Sequence, residues 1–324
     1  ATTINKEGVH VVVDLLGWLP VGRSFPTLEA IRLLRPAAMA VHCHGFYGSV
    51  GPAVDYTVSD RIVSPPETDA FGENSESRLL VPPPFQANAH ALLHSSLSPV
   101  SELGRAESRK LLLEVVQVSG KATGSILCAI HDYFKISPGI LDAWIAILRT
   151  NSSSILVLPH RTFRWHAEAL LRQKFKMGGV DPEAVYFLSR SSDRRGYLQL
   201  IQGCDLLLDT PVFNSQTTAV DALWAGVPIV TVPSERWVGR VGAALATGFP
   251  EAVHVAVSSD DYKRIGLSLI TRQSKSHTIA SRGRRIAKMF NPEGWQAKFE
   301  SGLTSAFDVC VGGGKHAISV RAKS

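Results

Sequence analysis

Short apolar segments alternate with helix-length amphipathic segments between residues 125 and 257, and this alternation constrains the fold more than any other feature of the sequence. The apolar segments are rich in Val, Ile and Leu, as in strands that are buried on both faces of a sheet. The segment that follows the first of them, SPGILDAWIAILRT, begins with Ser137 and Pro138, which favour a helix start. Strands and helices in this order predict an α/β fold with a doubly wound parallel sheet. The predicted strands are SILCAI, SILVLP, AVYFL, DLLLDT, VPIVTV and HVAV.

The residues before this region predict another α/β unit. VHVVVDLLGW is typical of a strand, and PTLEAIRLLRPA is typical of a helix. We therefore expect a partial N-terminal lobe over 1–95, a linker over 96–124, a C-terminal lobe over 125–309 and a disordered tail over 310–324. The chain starts at Ala1 and soon enters an apolar strand, so we expect it to be part of a longer protein.

Composition and charge exclude several classes of protein. The chain has 324 residues, enough for two domains, and 45% of them are hydrophobic, unlike a disordered protein. Its net charge of +6 is mostly scattered, so no nucleic-acid partner is expected, and no apolar run approaches the ~20 residues of a membrane span. The cysteines form no C-x-x-C pair, which indicates neither a zinc site nor a disulfide framework and favours a cytoplasmic or nuclear location.

The loops after the predicted strands carry basic and hydroxyl-bearing side chains. In doubly wound sheets, ligands bind beyond the carboxyl ends of the strands, where the helices begin. These loops contain Lys135, Arg161, Arg194, Thr217 and Thr218. Because cations and helix N-termini bind phosphate groups, the set predicts an anionic, phosphate-bearing ligand.

The segment NSQTTAVDALWAG places Thr217 and Thr218 at an expected helix start, ahead of Asp221. Backbone N–H groups at such a start can hold a diphosphate, but Thr is also an ordinary helix cap. Asp221 can bind ribose hydroxyls, or it can simply favour the positive end of the helix. The residues by themselves leave both interpretations open.

Several segments together resemble glycosyltransferase family 41, the O-GlcNAc transferase family. LLLDTPVFNSQTTAVDALWAGVPIVTVP is similar to the family's nucleotide-binding segment, LDT-P-x-N-x-x-TT-x-x-D-x-LWAG. EGVHVVVDLLGW, LRPAAMAVHCHGFYGSVG and YFKISPGILDAWIAIL resemble further family motifs, in the family order. The resemblance implies a GT-B architecture, in which two Rossmann-like domains face each other across a cleft, with the first domain incomplete here. It also implies that tetratricopeptide repeats belong to the full-length protein.

The resemblance implies roles for individual residues. Lys135 matches the lysine that neutralises the leaving diphosphate, and His10 and Glu7 match a histidine and an acid of the active site. Thr217 and Thr218 match the diphosphate-binding helix start. The other positions implied to bind the nucleotide or the sugar are Asp221, Gln216, Ser192, Arg194, Tyr197, Asp132, Gly45, Tyr47 and Gly48.

Three of these positions depart from the family pattern. Gln216 replaces a histidine beside the phosphates, Asp132 replaces a glutamine near Lys135, and Tyr47 stands where the family usually has proline. Asp132 would bring negative charge to the diphosphate unless Lys135 or an arginine pairs with it.

The implied activity is the inverting transfer of N-acetylglucosamine from UDP-GlcNAc to Ser or Thr hydroxyls of intracellular proteins. No cofactor and no metal are expected, because the chain has no D-x-D triplet and protein cations can stabilise the leaving diphosphate. The base that accepts the hydroxyl proton stays open among His10, Glu7, a water relay and the donor phosphate. Two alternative functions are a protein O-fucosyltransferase that uses GDP-fucose and a non-catalytic nucleotide-binding module.

Overall fold

The chain divides into two compact units in the computed structural model. The first unit comprises Ala1–Ala87 and Asn291–Ser324, and the second comprises Asn88–Phe290. The structure describes residues 1–16, 25–44, 49–67, 75–94, 102–118, 124–161, 165–191, 193–272, 287–314 and 316–321.

The first unit is built on parallel strands. Its strands before residue 88 lie in chain order across the sheet and are all parallel. Every residue of the third of them is buried, as expected for a strand inside a covered parallel sheet. The elements are α1 (Thr2–Lys6), β1 (Val11–Asp14), α2 (Phe25–Leu34), β2 (Met39–His42), β3 (Tyr56–Ser59) and β4 (Ser77–Leu80).

The second unit follows the predicted alternation of strands and helices. Its strands are β5 (Ile126–Cys128), β6 (Ile155–Pro159), β7 (Val185–Leu188), β8 (Leu206–Leu208), β9 (Ile229–Thr231) and β10 (Val253–Val255). Its helices are α3 (His90–Leu93), α4 (Glu102–Val115), α5 (Pro138–Thr150), α6 (Trp165–Met177), α7 (Arg194–Gln202), α8 (Gln216–Trp224), α9 (Val241–Gly248) and α10 (Ser259–Thr271).

The strand order of this sheet determines where a ligand can bind. The strands are parallel and ordered β10–β9–β8–β5–β6–β7, which is the doubly wound order 3-2-1-4-5-6 when counted from β5. The chain winds in opposite directions on the two sides of the β5–β8 pair, so the loops that leave these strands diverge and open a crevice. The predicted doubly wound parallel sheet is confirmed.

Helix α5 shows how the sequence builds the core below that crevice. Its buried residues recur at the spacing of one helix face and pack against the sheet. Trp144 on this face is fully buried, and its indole N–H donates to the Tyr262 hydroxyl at 3.4 Å. The Tyr262 hydroxyl in turn donates to the carbonyl oxygen of Asp209 at 2.9 Å, so the packed core supports the loop after β8.

Residues 102–115 were predicted to belong to a linker, but they form helix α4. Arg105 and Arg109 on this helix both donate to the carboxylate of Asp205, which also accepts the backbone N–H of Ile126 at 2.6 Å. Asp205 is buried, so these bonds fix α4 to the start of β5 and β8. The partners are about a hundred residues apart in sequence, and the polar composition of the segment gave no sign of them.

The end of the chain also differs from the prediction of a lobe boundary at 309 and a disordered tail. Helix α11 (Pro292–Val311) and strand β11 (Ile318–Ser319) belong to the first unit. β11 pairs in parallel with β4, with Ile318 opposite Leu79. Gly302 permits this packing, because a Cβ there would lie 2.8 Å from Cδ1 of Leu79.

None of the helices in the described parts of the chain combines the length and the apolar character that crossing a membrane requires.

Cys128 and Cys204 form a disulfide, contrary to the expectation drawn from cysteine spacing. Cys128 ends β5, and Cys204 comes just before the neighbouring strand β8. Their Cα atoms lie 6.1 Å apart, within the usual range for a disulfide. Spacing failed here because the cysteines are 76 residues apart and only the tertiary structure brings them together. Cys43 and Cys310 are not part of a disulfide.

This pairing predicts the number of reactive thiols. In denaturant without reductant, we expect Ellman's reagent to detect two thiols per chain, those of Cys43 and Cys310. After reduction it should detect all four cysteines of the sequence. Four thiols before reduction, in protein kept oxidised during purification, would contradict the disulfide.

Candidate functional site

A polar cavity of about 600 Å³ lies beyond the carboxyl ends of the strands of the second unit. Its walls are the loops after β5, β6 and β7 and the first turns of α7 and α8, so it occupies the crevice that the strand order opens. The predicted site residues that line it are Asp132, Arg194, Tyr197, Thr217, Thr218 and Asp221.

The N-terminus of α8 faces this cavity without a side-chain cap. The cap position is Ser215, but its side chain makes no capping hydrogen bond among the described residues. Its hydroxyl hydrogen-bonds Nδ1 of buried His131 at 3.0 Å, and its backbone N–H donates to Asp209 at 2.6 Å. The N–H groups of the first turn, with Thr217 and Thr218 beside the cavity, can therefore bind an anion. This geometry favours the phosphate interpretation of these threonines over the simple cap.

The N-terminus of α7 borders the same cavity but is closed. The carboxylate of Asp193 accepts the N–H groups of Arg195 at 3.1 Å and Gly196 at 2.8 Å. A carboxylate already neutralises the positive end of this helix, so an anion gains little there. Of these two helix starts, α8 is the one arranged for a phosphate group.

Lys135 lies beside the open start of α8. It ends a short 3₁₀ turn, Tyr133–Lys135, after β5, and its Nζ donates to the carbonyl oxygen of Asn214 at 3.1 Å. The ammonium also lies 4.0 Å from the ring centroid of Phe213. Asn214 lies two residues before the first residue of α8, so the lysine charge and the helix start are neighbours. Lys135 itself is not among the residues that line the cavity.

The environment of Lys135 changes its acidity. Burial lowers the pKa of Lys135 to about 8, although the carboxylates of Asp209 and Asp132 oppose this shift. The hydrogen bond to a neutral carbonyl leaves the positive charge available to a phosphate. An incoming anion would restore the pKa toward its ordinary value, because an opposite charge favours the protonated amine.

Asp132 does not leave an unpaired negative charge in the cavity. Nε of Arg161 donates to its Oδ1 at 2.8 Å. The sequence analysis required either Lys135 or an arginine to neutralise this departure from the family pattern, and Arg161 fills that place.

Asp221 is held by two basic side chains. Nε2 of His90 lies 2.8 Å from its Oδ1, and the Arg194 guanidinium contacts the same oxygen. Arg194 also lies against the ring of Tyr197, with Cζ 5.5 Å from the ring centroid. Burial raises the pKa of Tyr197 to about 12. One wall of the cavity thus joins Asp221, Arg194 and Tyr197, beside the first turn of α8.

The remaining predicted site residues lie elsewhere. Gln216 is the first residue of α8, and its Nε2 is buried with no hydrogen-bond partner among the described residues. Glu7 and His10 belong to the first unit and are exposed; Glu7 follows α1, and His10 packs edge-on against Phe307 at 5.8 Å. Ser192, Gly45, Tyr47 and Gly48 lie outside the described residues.

Three residues that take part in the site, His90, His131 and Ser215, were not predicted as site residues from the sequence. His90 and Asp221 are 131 residues apart, and the first of them stands in a segment with no recognised motif. His131 and Ser215 are similarly distant, at 84 positions. A polar residue directly after a predicted buried strand was the one available signal for His131. No local pattern pointed to His90.

The described parts of the chain contain no group of three His, Cys, Asp or Glu side chains placed to hold a metal ion. The prediction that catalysis needs no metal stays a prediction.

A comparison with solved structures identifies the fold of the chain. The structure is similar to that of a mutant O-GlcNAc transferase from Thermobaculum terrenum, with a TM-score of 0.77, 21% sequence identity, and coverage of 96% of this chain and 56% of that chain. Two parallel α/β units of this kind are those of the GT-B fold, which confirms the predicted fold class.

Sequence comparisons then define the family. Residues 102–295 match glycosyl transferase family 41, and the chain belongs to this family, as the motifs indicated. An Arabidopsis thaliana protein named "Probable UDP-N-acetylglucosamine–peptide N-acetylglucosaminyltransferase SEC" is 27% identical over 316 residues, which are 93% of this chain and 29% of the relative. The UDP-N-acetylglucosamine–peptide N-acetylglucosaminyltransferase of Caenorhabditis elegans is 35% identical over 148 residues, 45% of this chain and 12% of that one. The chain thus spans less than a third of either relative.

The acidity of Lys135 predicts how anion binding depends on pH. Inorganic pyrophosphate should bind roughly tenfold more weakly at pH 9 than at pH 7, because Lys135 loses its proton as the pH rises through about 8. Isothermal titration calorimetry between pH 7 and 9 measures this change. A Lys135→Arg variant supplies the control, since arginine stays protonated and the ligand's own ionisation affects both proteins equally. Parallel pH profiles for the two proteins would remove Lys135 from the anion site.

Proposed function

We propose that this chain carries the nucleotide-binding and catalytic region of a protein O-GlcNAc transferase. In this proposal a UDP-GlcNAc donor occupies the cavity of the second unit, and N-acetylglucosamine moves to a Ser or Thr hydroxyl of a protein. The tetratricopeptide repeats expected in the full-length protein would select the acceptor proteins. The chain covers less than a third of the length of these relatives, which is consistent with such additional segments.

One observation carries the proposal: the uncapped N-terminus of α8 borders the cavity and has the Lys135 ammonium next to it, in a chain of glycosyl transferase family 41. A helix N-terminus and a cation together stabilise the negative charge of a diphosphate. This pair lies at the carboxyl edge of the parallel sheet, where doubly wound sheets bind nucleotides, and that position supports the proposal.

The rest of the cavity suits the nucleoside. Asp221 can accept hydrogen bonds from ribose hydroxyls, and the ring of Tyr197 offers a flat face for stacking on a base. Arg194 can leave Asp221 for the nucleotide, because its side chain is 44% exposed. These three residues and the start of α8 would hold the donor from its base to its diphosphate.

The proposed reaction is a single displacement. The acceptor hydroxyl oxygen attacks the anomeric carbon from the face opposite UDP, the bond from that carbon to the diphosphate oxygen breaks, and its electron pair leaves with UDP. The configuration at the anomeric carbon is therefore inverted, and the hydroxyl proton passes to a base. Lys135 and the N–H groups of α8 stabilise the charge that grows on the leaving diphosphate, where preorganised donors lower a barrier most.

The central test removes the charge of Lys135. A Lys135→Met variant should lose at least about 100-fold in sugar transfer, because a preorganised donor to the leaving group is gone. Transfer of radiolabelled N-acetylglucosamine from UDP-GlcNAc to a Ser/Thr-containing peptide measures it. Lys176→Met, on the exposed face of α6, is the matched control and should transfer at the wild-type rate.

Two outcomes would contradict this assignment in different ways. Retained turnover in Lys135→Met would exclude the lysine from the mechanism. A wild-type chain that binds UDP but transfers no sugar would instead identify a non-catalytic nucleotide-binding module.

The donor is tested separately by calorimetric titration with UDP and GDP. We expect UDP to bind at least tenfold more tightly, since the curated relatives described above are named for UDP-N-acetylglucosamine and Asn214 stands in the family's nucleotide-binding motif. Preference for GDP would favour the O-fucosyltransferase alternative and would leave the fold and the role of Lys135 intact.

A further inference from the structure

We propose that His90 is a positioning residue of the nucleotide site. Its hydrogen bond fixes the carboxylate of Asp221, so that this carboxylate can accept hydrogen bonds from the two hydroxyls of a ribose. This inference rests on the proposed function and adds a determinant of sugar recognition to it. The sequence motifs of the site do not include His90.

The hydrogen bond between the two side chains is short and buried. Nε2 of His90 lies 2.8 Å from Oδ1 of Asp221, and the two side chains are 8% and 2% exposed. A carboxylate has no proton to donate, so Nε2 carries the hydrogen and donates it. A hydrogen bond from which water is excluded restrains its acceptor more strongly than one at the surface.

The His90 ring is itself held in place. It packs against the rings of Trp224 and Phe290, with centroids at 5.9 Å and 6.1 Å. Its backbone N–H donates to Oδ1 of Asn88 at 3.4 Å, and Nδ2 of Asn88 donates to the carbonyl oxygen of Met289 at 2.6 Å. Asn88 thus anchors the start of the short helix α3. The donor to Asp221 is preorganised by these contacts.

Arg194 contacts the same carboxylate oxygen but is placed differently. Its side chain is 44% exposed, against 8% for His90, and it borders the cavity at the first residue of α7. Arg194 can turn toward a bound nucleotide, whereas His90 is enclosed. When Arg194 turns away, His90 remains as the group that keeps Asp221 in position.

Of the carboxylates that line the cavity, Asp221 is the one best placed to accept hydrogen bonds from two neighbouring hydroxyls of a sugar. Three carboxylates line the cavity: Asp132, Asp193 and Asp221. Arg161 pairs with Asp132, and Asp193 uses both of its oxygens to cap α7. The described contacts of Asp221 from His90 and Arg194 both fall on Oδ1, so Oδ2 can face the cavity and accept from vicinal hydroxyls.

The test compares two nucleotides on the intact chain by calorimetry: UDP and 2′,3′-dideoxy-UDP, which lacks both ribose hydroxyls. His90→Phe keeps an aromatic ring but has no donor, and it should weaken UDP binding about tenfold, as expected when a hydrogen bond to a charged group is lost. Binding of the dideoxy nucleotide should change less than twofold. His90→Gln places an amide N–H near the position of Nε2 and should bring UDP affinity back to within about threefold of wild type.

A matched control is available in the same unit. His254→Phe makes the same substitution on β10, at a residue that does not line the cavity, and should leave both affinities unchanged. If His90→Phe does not fold, His90→Asn replaces it, because its shorter amide cannot reach Asp221 as the Gln amide can.

Equal losses for UDP and its dideoxy form, or no loss for either, would overturn the positioning role. So would a Gln variant that binds UDP no better than the Phe or Asn variant. A wild-type chain that binds no UDP would overturn the proposed function and this inference together, whereas the preceding outcomes leave the proposed function standing.

Discussion

The uncapped start of helix α8 is the constraint on which the rest of the site depends. Helix N-termini normally take a side chain of their own to satisfy the first N–H groups. Here Ser215 stands at the cap position, but His131 holds its hydroxyl and Asp209 holds its backbone N–H. Both partners are buried, so the hydroxyl of the cap residue is engaged in the core and does not cap the helix. The positive end of α8 is thereby available to an anion.

The carboxylates near this helix end are already paired, so they compete little with an anion for the positive end of α8. Asp132 is neutralised by Arg161, and Asp193 is occupied by the N-terminus of α7. Lys135, by contrast, donates to a carbonyl oxygen. Because burial lowers the pKa of Lys135, the protein accepts a cost of desolvation to keep this amine close to α8. Such a cost is typical of functional sites and unusual for a surface lysine.

The fold and part of the site could be predicted because their signals are local. The apolar segments of β5 to β10 and the helix-forming pattern of α5 each lie within about fifteen residues, so periodicity reveals them. Lys135 and Thr217 follow predicted strands, and the rule for ligands of parallel sheets placed them at one edge. Helix α4 escaped prediction because Asp205, which anchors it, is about a hundred residues away. The disulfide of Cys128 and Cys204 escaped for the same reason.

By itself, the sequence determined that the chain forms parallel α/β units of glycosyl transferase family 41 and that hydroxyl and basic side chains follow its strands. Both properties depend on short segments of the sequence, because side-chain periodicity and backbone preference act between residues that are close along the chain. Only the tertiary structure decided which side chains contact each other. Folding brought His90 to Asp221, engaged the Ser215 hydroxyl with His131 and returned the chain's end to the first unit. These are contacts between distant residues, and their energies depend on distances that folding alone creates.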